Sequence, residues 1–171
     1  SINDETEEAL KQNALKNLKY FKVDELHRGL TRQRNFAIKQ INESSEIICF
    51  LDDDTILEQD FFKEIIATYN AYPKALAVGG YITNEVEWEE TNLNKLKGKF
   101  IYDGWMREEP MRFRIRNYFG LEPDTNPAFL PTFSHGRSVS FLPPSGKIYK
   151  VEQIMGGVAS YRKEVFEELS F

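Results

Sequence analysis

Three adjacent carboxylates, Asp52-Asp53-Asp54, follow directly on an unbroken apolar run, Ile47-Ile48-Cys49-Phe50-Leu51. Five apolar residues in succession predict a strand buried on both faces, as in a parallel sheet. In open α/β sheets, ligands bind just beyond the carboxyl ends of such strands. Neighbouring acids repel one another, and capping a loop and the next helix would need two of them rather than three. The cluster therefore points to a positive partner, and oxygen ligands of this kind suit a hard divalent cation, Mg²⁺ or Mn²⁺.

Other residues carry chemistry at longer range. Arg32 and Arg34 precede the acidic strand by one predicted helix, and guanidinium groups match phosphate bidentately and stack on bases. A helix start with solvated arginines is the plain alternative. Gly156-Gly157 permits close approach of a ligand to the backbone, or simply makes a tight turn. Trp88 and Trp105 could stack on sugar rings or pack locally. His27 and His135 are too far apart for a short-spaced metal motif, although His135 stands beside Gly136-Arg137. Cys49 is the single cysteine, so an internal disulfide is excluded and a buried structural thiol is expected.

These residues need elements to position them. A helix over 4–19 is predicted, with Asn3 or Asp4 as the cap at its start and Leu10, Ala14 and Leu18 on one stripe. A short strand over 20–26 and a helix capped by Thr31 and running to about residue 41 follow, then the strand ending at Leu51. A third helix is predicted over 58–70, with Phe61, Phe62, Ile65, Ile66 and Tyr69 on one face. After Pro73, the run Ala75 to Val78 ends at Gly79-Gly80. Residues 83–150 lose periodicity and read as loops with short strands and one helical patch near 108–119. Regular structure returns at Gly156–Tyr161, with a helix over 163–169. Alternating helix and strand predict an α/β fold, a doubly wound, mostly parallel sheet flanked by helices.

Composition bounds the function. The chain has 171 residues, enough for one domain that buries roughly 70% of its unfolded surface. A net charge of -5 gives no basic field, so no nucleic-acid partner is expected. No run of about 18 apolar residues occurs, so no membrane-spanning helix is expected, and no export signal is visible.

The segment Gly29-Leu30-Thr31-Arg32-Gln33-Arg34-Asn35, then Phe50-Leu51-Asp52-Asp53-Asp54, then Gly156-Gly157-Val158-Ala159-Ser160-Tyr161-Arg162-Lys163-Glu164-Val165-Phe166, resembles family 2 glycosyltransferases in three motifs and their order. Asp4 and Thr6 are similar to part of the family's early Asp-Asp-Gly-Ser-x-Asp-x-Thr segment. The likeness covers about residues 1–82 and 151–171. It implies a GT-A fold in a single transferase domain, 1–171, with 83–150 as a variable acceptor-side region. It further implies an interior fragment, with early strands before Ser1 and the catalytic general base, often in Glu-Asp, beyond Phe171. Such a fragment would be a poor catalyst by itself.

The resemblance also assigns roles. Asp54 would be the metal ligand, Asp52 a ribose partner or water-mediated metal ligand, and Asp53 would take either role if the register moves by one. Arg34, Asn35 and Asp4 would face the nucleotide, and Gly156, Gly157 and Trp105 the acceptor. The implied activity is hexosyl-type transfer, by inversion, from a nucleotide-sugar donor, UDP-linked by family default, to a glycan or lipid-linked sugar. Mn²⁺ or Mg²⁺ would be the cofactor. The expected place is the cytoplasm, with peripheral association at the inner face of the membrane left open. Two rivals stand beside this reading. Asp52-Asp53-Asp54-Thr55-Ile56-Leu57 is one substitution from a haloacid-dehalogenase-type phosphatase motif, with Asp52 as nucleophile and Asp54 as acid–base. A sugar-binding module of the same fold that lost catalysis is the other.

Overall fold

A computed structural model describes residues 5–13 and 17–171, and the chain divides into two compact units, Ser1–Ser45 with Glu164–Phe171, and Glu46–Lys163.

The described residues of the first unit include three α-helices. Helix α1 runs Glu5–Asn13, α2 runs Leu30–Ile38 and α5 runs Val165–Glu168. Residues 20–26 form no strand. A 3-10 turn, Glu25–His27, stands there, and the Asp24 side chain accepts from the His27 N–H at its start. Local capping by an Asx side chain outcompetes extended pairing where no partner strand lies alongside. Helix α2 starts two residues earlier than expected, with Gly29 rather than Thr31 at its N-cap and a φ of 106° there that favours glycine.

The second unit contains two small sheets. In the first, strand β1 (Ile47–Leu51) and strand β2 (Ala77–Gly79) flank strand β6 (Val158–Arg162). Both pairings are antiparallel, with Leu51 opposite Val158 and Gly79 opposite Ala159. The doubly wound parallel sheet expected from the sequence is thus not what the described residues form. β1 and β2 do run in the same direction, but each bonds the reversed β6 between them. An apolar run reports burial, not the direction of its partner. Burial is also lighter than expected, because only Ile48 of β1 is buried and Leu51 is exposed.

Helix α3 (Phe61–Ala71) belongs to this unit, and its Ile65 and Tyr69 are buried. Phe62 and Ile66, expected on the same face, are exposed. Arg162 locks the far end: it donates to the Ala75 and Tyr69 carbonyls and lies 4.9 Å over the Tyr69 ring. The Tyr69 hydroxyl meets Ser160 Oγ at 3.2 Å, and Ser160 in turn donates to the Val78 carbonyl at 2.7 Å.

Residues 83–150 are more ordered than their weak periodicity suggests. Strands β3 (Glu89–Glu90), β4 (Lys99–Tyr102) and β5 (Trp105–Glu108) form an antiparallel sheet with β5 in the middle. Asp103-Gly104 makes the β4–β5 turn with positive φ at both residues, the conformation that Asp-Gly hairpin turns favour. Helix α4 (Met111–Tyr118) follows. Met106, Phe113 and Phe141 are essentially inaccessible, and Phe141 meets Phe100 and Phe113 edge-on at 5.2 and 5.0 Å. These aromatic contacts make a local core, each pair adding about 0.5–1.5 kcal/mol beyond area burial.

Candidate functional site

Because β6 runs antiparallel, its N-terminal end lies at the carboxyl ends of β1 and β2. One sheet edge therefore gathers Asp52, which leaves β1, Gly80, which leaves β2, and Gly157, which enters β6. The Asp52 N–H donates to the Gly157 carbonyl at 2.9 Å, and the Gly80 N–H donates to the Val158 carbonyl at 2.8 Å. Thr55 N–H then donates to the Asp52 carbonyl at 3.2 Å, so the acids occupy a tight turn. Asp52, Asp53 and Asp54 are all exposed on it.

Gly157 is needed there for space. A Cβ on it would stand 2.5 Å from Asp52 Oδ2 and 3.1 Å from its Cγ. The carboxylate of Asp52 thus rests in the hollow left by the missing side chain. Gly80 is similarly confined, since a Cβ there would meet Phe61 at 2.9 Å and Val158 at 3.3 Å. Gly156 precedes this contact in the same turn into β6.

Among the described residues, no group of three or more His, Cys, Asp or Glu converges as a closed metal cage. The exposed turn instead offers carboxylates to an ion that brings other ligands with it. That chemistry fits Mg²⁺ or Mn²⁺, which keep several waters and phosphate oxygens and take one or two protein carboxylates. Asp54 and Asp52 have the right donor type and stand on the right edge.

The remaining expected residues fall elsewhere. Asp4 lies outside the described residues. In the first unit, the Asn35 amide donates to the Phe171 carbonyl and accepts from the Phe171 N–H, both at 2.9 Å. The Arg34 guanidinium lies 5.3 Å from the Phe171 ring centroid. Arg32 donates to the Leu26 carbonyl at 3.3 Å, and His27 pairs with Asp24 at 2.6 Å. In the second unit, Trp105 sits half-buried on β5 opposite Tyr102 and Glu90. Trp88 lies 6.4 Å from Phe100 and beneath the Arg107 guanidinium. Trp88, Lys99 and Arg107 line a cavity of about 550 Å³ together with Glu85, Glu89 and Glu108. His135 is exposed, and burial pushes the Cys49 thiol up.

The sequence reading missed two clusters. Glu109 and Arg137 form an ion pair at 3.3 Å with both side chains more than nine-tenths buried, and Arg137 lies 4.7 and 4.8 Å over Phe100 and Phe113. Asp103 receives Lys147 at 2.6 and 2.8 Å and the Tyr149 hydroxyl at 2.5 Å. Those partners hold the Asp103 carboxyl below its ordinary range, Lys147 being the larger cause. The Asp103-Gly104 turn was the one legible signal for the second cluster, and only for its backbone.

Comparison with known proteins shows the family. The family model described as glycosyl transferase family 2 matches residues 1–169. The chain belongs to glycosyltransferase family 2. Membership carries the GT-A nucleotide-sugar transferase fold and, at the general level, transfer of a sugar from a nucleotide-sugar donor to an acceptor. The match spans the Asp52–Leu57 run and leaves the phosphatase reading without support. No curated protein and no solved structure matches the chain.

Proposed function

We propose that the edge formed by Asp52, Asp54 and Gly157 binds the metal–diphosphate part of a nucleotide-sugar donor, and that the acceptor approaches from the Gly156–Gly157 side. One observation carries this reading. Three exposed carboxylates leave a strand at the sheet edge, and a glycine on the neighbouring strand leaves the room one of them occupies. Adjacent exposed carboxylates are the donor type that a hard divalent cation and its diphosphate take.

In this reading Asp54, with Asp52, would hold Mg²⁺ or Mn²⁺, and Asp52 or Asp53 the ribose. When bound, the ion would offset the negative charge that gathers on the departing β-phosphate. The acceptor hydroxyl attacks the anomeric carbon as the bond from that carbon to the phosphate oxygen breaks. The nucleoside diphosphate leaves with the electron pair, and a general base takes the hydroxyl proton. In-line attack gives inversion.

Arg34 and Asn35, with Asp4, are assigned by resemblance to the nucleotide. For Asn35, bonding to the Phe171 backbone makes bracing of α2 its first role. Trp105, with Gly156 and Gly157, is assigned to the acceptor, a glycan or lipid-linked sugar. The proposed place of action is the cytoplasm. No helix among the described residues is long and apolar enough to cross a membrane.

The test is donor breakdown. A panel of UDP-, GDP- and dTDP-sugars is offered with a mixture of glycan acceptors, and nucleoside diphosphate release is followed with Mn²⁺ and with chelator. Release that needs metal and falls at least about a hundredfold in Asp54→Ala supports the proposal. Equal release in the variant contradicts it.

A further inference from the structure

Helix α4 buries one side chain. Phe113 is fully buried, while Met111, Ile115 and Tyr118 on the helix and Phe119 just after it are exposed, at 64%, 52%, 85% and 67%. Their spacing of i, i+4, i+7 and i+8 lays them along one stripe at 100° per residue, on the side away from Phe113. The same rotation sets Arg112 on one flank of the stripe and Arg114 on the other. Both side chains also touch the protein body, Arg112 at 5.1 Å from the ring centroid of buried Phe113 and Arg114 by donating to the Gly98 carbonyl at 3.3 Å, and both residues remain exposed. Arg116 turns back towards Phe113, 5.7 Å from the ring centroid. From Met111 to Leu121 the chain carries three arginines and no acid, although its net charge is -5. Leu121, also exposed, extends the apolar side, and its carbonyl accepts from Ser134 Oγ at 2.6 Å in the loop that carries exposed Phe133.

We infer that this face of α4 docks on an anionic lipid surface, with Met111, Ile115, Tyr118 and Phe119 entering the headgroup boundary and Arg112 and Arg114 meeting lipid phosphates. An apolar stripe with flanking cations is the pattern of helices that lie in a membrane interface, and amphipathic aromatics such as Tyr118 favour that depth. Charge complementarity selects the occupant. A second copy of the chain, meeting this face with its own, would set arginine against arginine. A two-turn helix also offers a fraction of the roughly 800 Å² per partner that stable dimers bury. Nucleic acid could use the arginines and stack on Tyr118 and Phe119, but it would leave Met111 and Ile115 in solvent, which a lipid surface covers. The inference goes beyond the transfer reading and does not depend on it.

The test is co-sedimentation of the purified protein with vesicles of phosphatidylcholine containing about a third phosphatidylglycerol, beside pure phosphatidylcholine. Wild type is expected to bind the anionic vesicles and leave the neutral ones, and binding is expected to weaken as salt rises. Tyr118→Ser/Phe119→Ser alters only exposed side chains and is expected to lower the partition coefficient by about tenfold or more with an unchanged circular dichroism spectrum. Arg112→Glu is expected to lower it several-fold on anionic vesicles alone. Absence of wild-type binding, or equal binding by the double variant, overturns the inference. A concentration-dependent dimer that the double variant dissolves, without vesicle binding, overturns it in favour of self-association.

Discussion

Asp52 and Gly157 are joined twice: the Asp52 N–H bonds the Gly157 carbonyl at 2.9 Å, and Asp52 Oδ2 stands 2.5 Å from where a Gly157 Cβ would be. The strand pairing and the position of the carboxylate are therefore set by the same glycine. Gly157→Ala must push the carboxylate outwards. It is expected to cost about ten- to a hundredfold in kcat/KM, the range that a displacement of about 1 Å produces, while the melting temperature shifts by only a few degrees. Unchanged kinetics would mean that the Asp52 position is immaterial to the reaction.

The Glu109–Arg137 pair predicts an asymmetry in stability. Glu109→Ala leaves a buried guanidinium without its counter-charge and is expected to cost about 3–5 kcal/mol. The double variant Glu109→Leu/Arg137→Met removes both charges and is expected to regain most of that loss. Denaturant unfolding of the two variants checks this, and a double variant as unstable as the single one would contradict it.

Phe113 is the sole buried anchor of α4. Phe113→Ala is expected to destabilise the unit by about 3–5 kcal/mol through cavity formation. Tyr118→Ala, at an exposed position, is expected to stay within about 0.5 kcal/mol. Unfolding curves read by tryptophan fluorescence would separate the two.

How much of this was legible in the chain depends on what each residue needed. The Asp52–Asp54 turn and Gly157 could be found because an apolar run, a charge cluster and a glycine pair are local signals, and three of them fell in a familiar order. The reversed direction of β6 could not, because strand direction is decided by the connections on either side and not by the strand's own residues. The core of residues 83–150 was hidden for a related reason. Phe100, Phe113 and Phe141 are scattered among charges, and several of those charges, Arg107 and Arg137 above all, lie over the rings instead of in solvent. Periodicity reads an arginine as surface and so misses a cation stacked within a core. Asn35 shows the limit of motif reading. The motif places it with Arg34, while its amide is taken up by the Phe171 backbone.

Asp103 gives a pH dependence of known sign. Its folded-state carboxyl lies below the ordinary value of 3.8, held there first by Lys147 and then by Tyr149. A depressed carboxylate contributes stability fully above its unfolded value and loses it as pH falls through the folded one. Asp103→Asn is therefore expected to be less stable than wild type at neutral pH, with the gap closing as the pH drops below 3.8. Denaturation midpoints of both proteins across the acid range test this, and a gap that widens on acidification would contradict it.

The most direct test of the central claim is calorimetric titration with UDP and with GDP, in the presence and absence of Mn²⁺, of wild type and Asp54→Ala. The account predicts that one nucleoside diphosphate binds wild type in a metal-dependent manner and that the variant loses that binding while keeping its fold. Binding that is equally tight without metal, or that survives in Asp54→Ala, would contradict the assignment of the Asp52–Asp54 turn as the metal–diphosphate site.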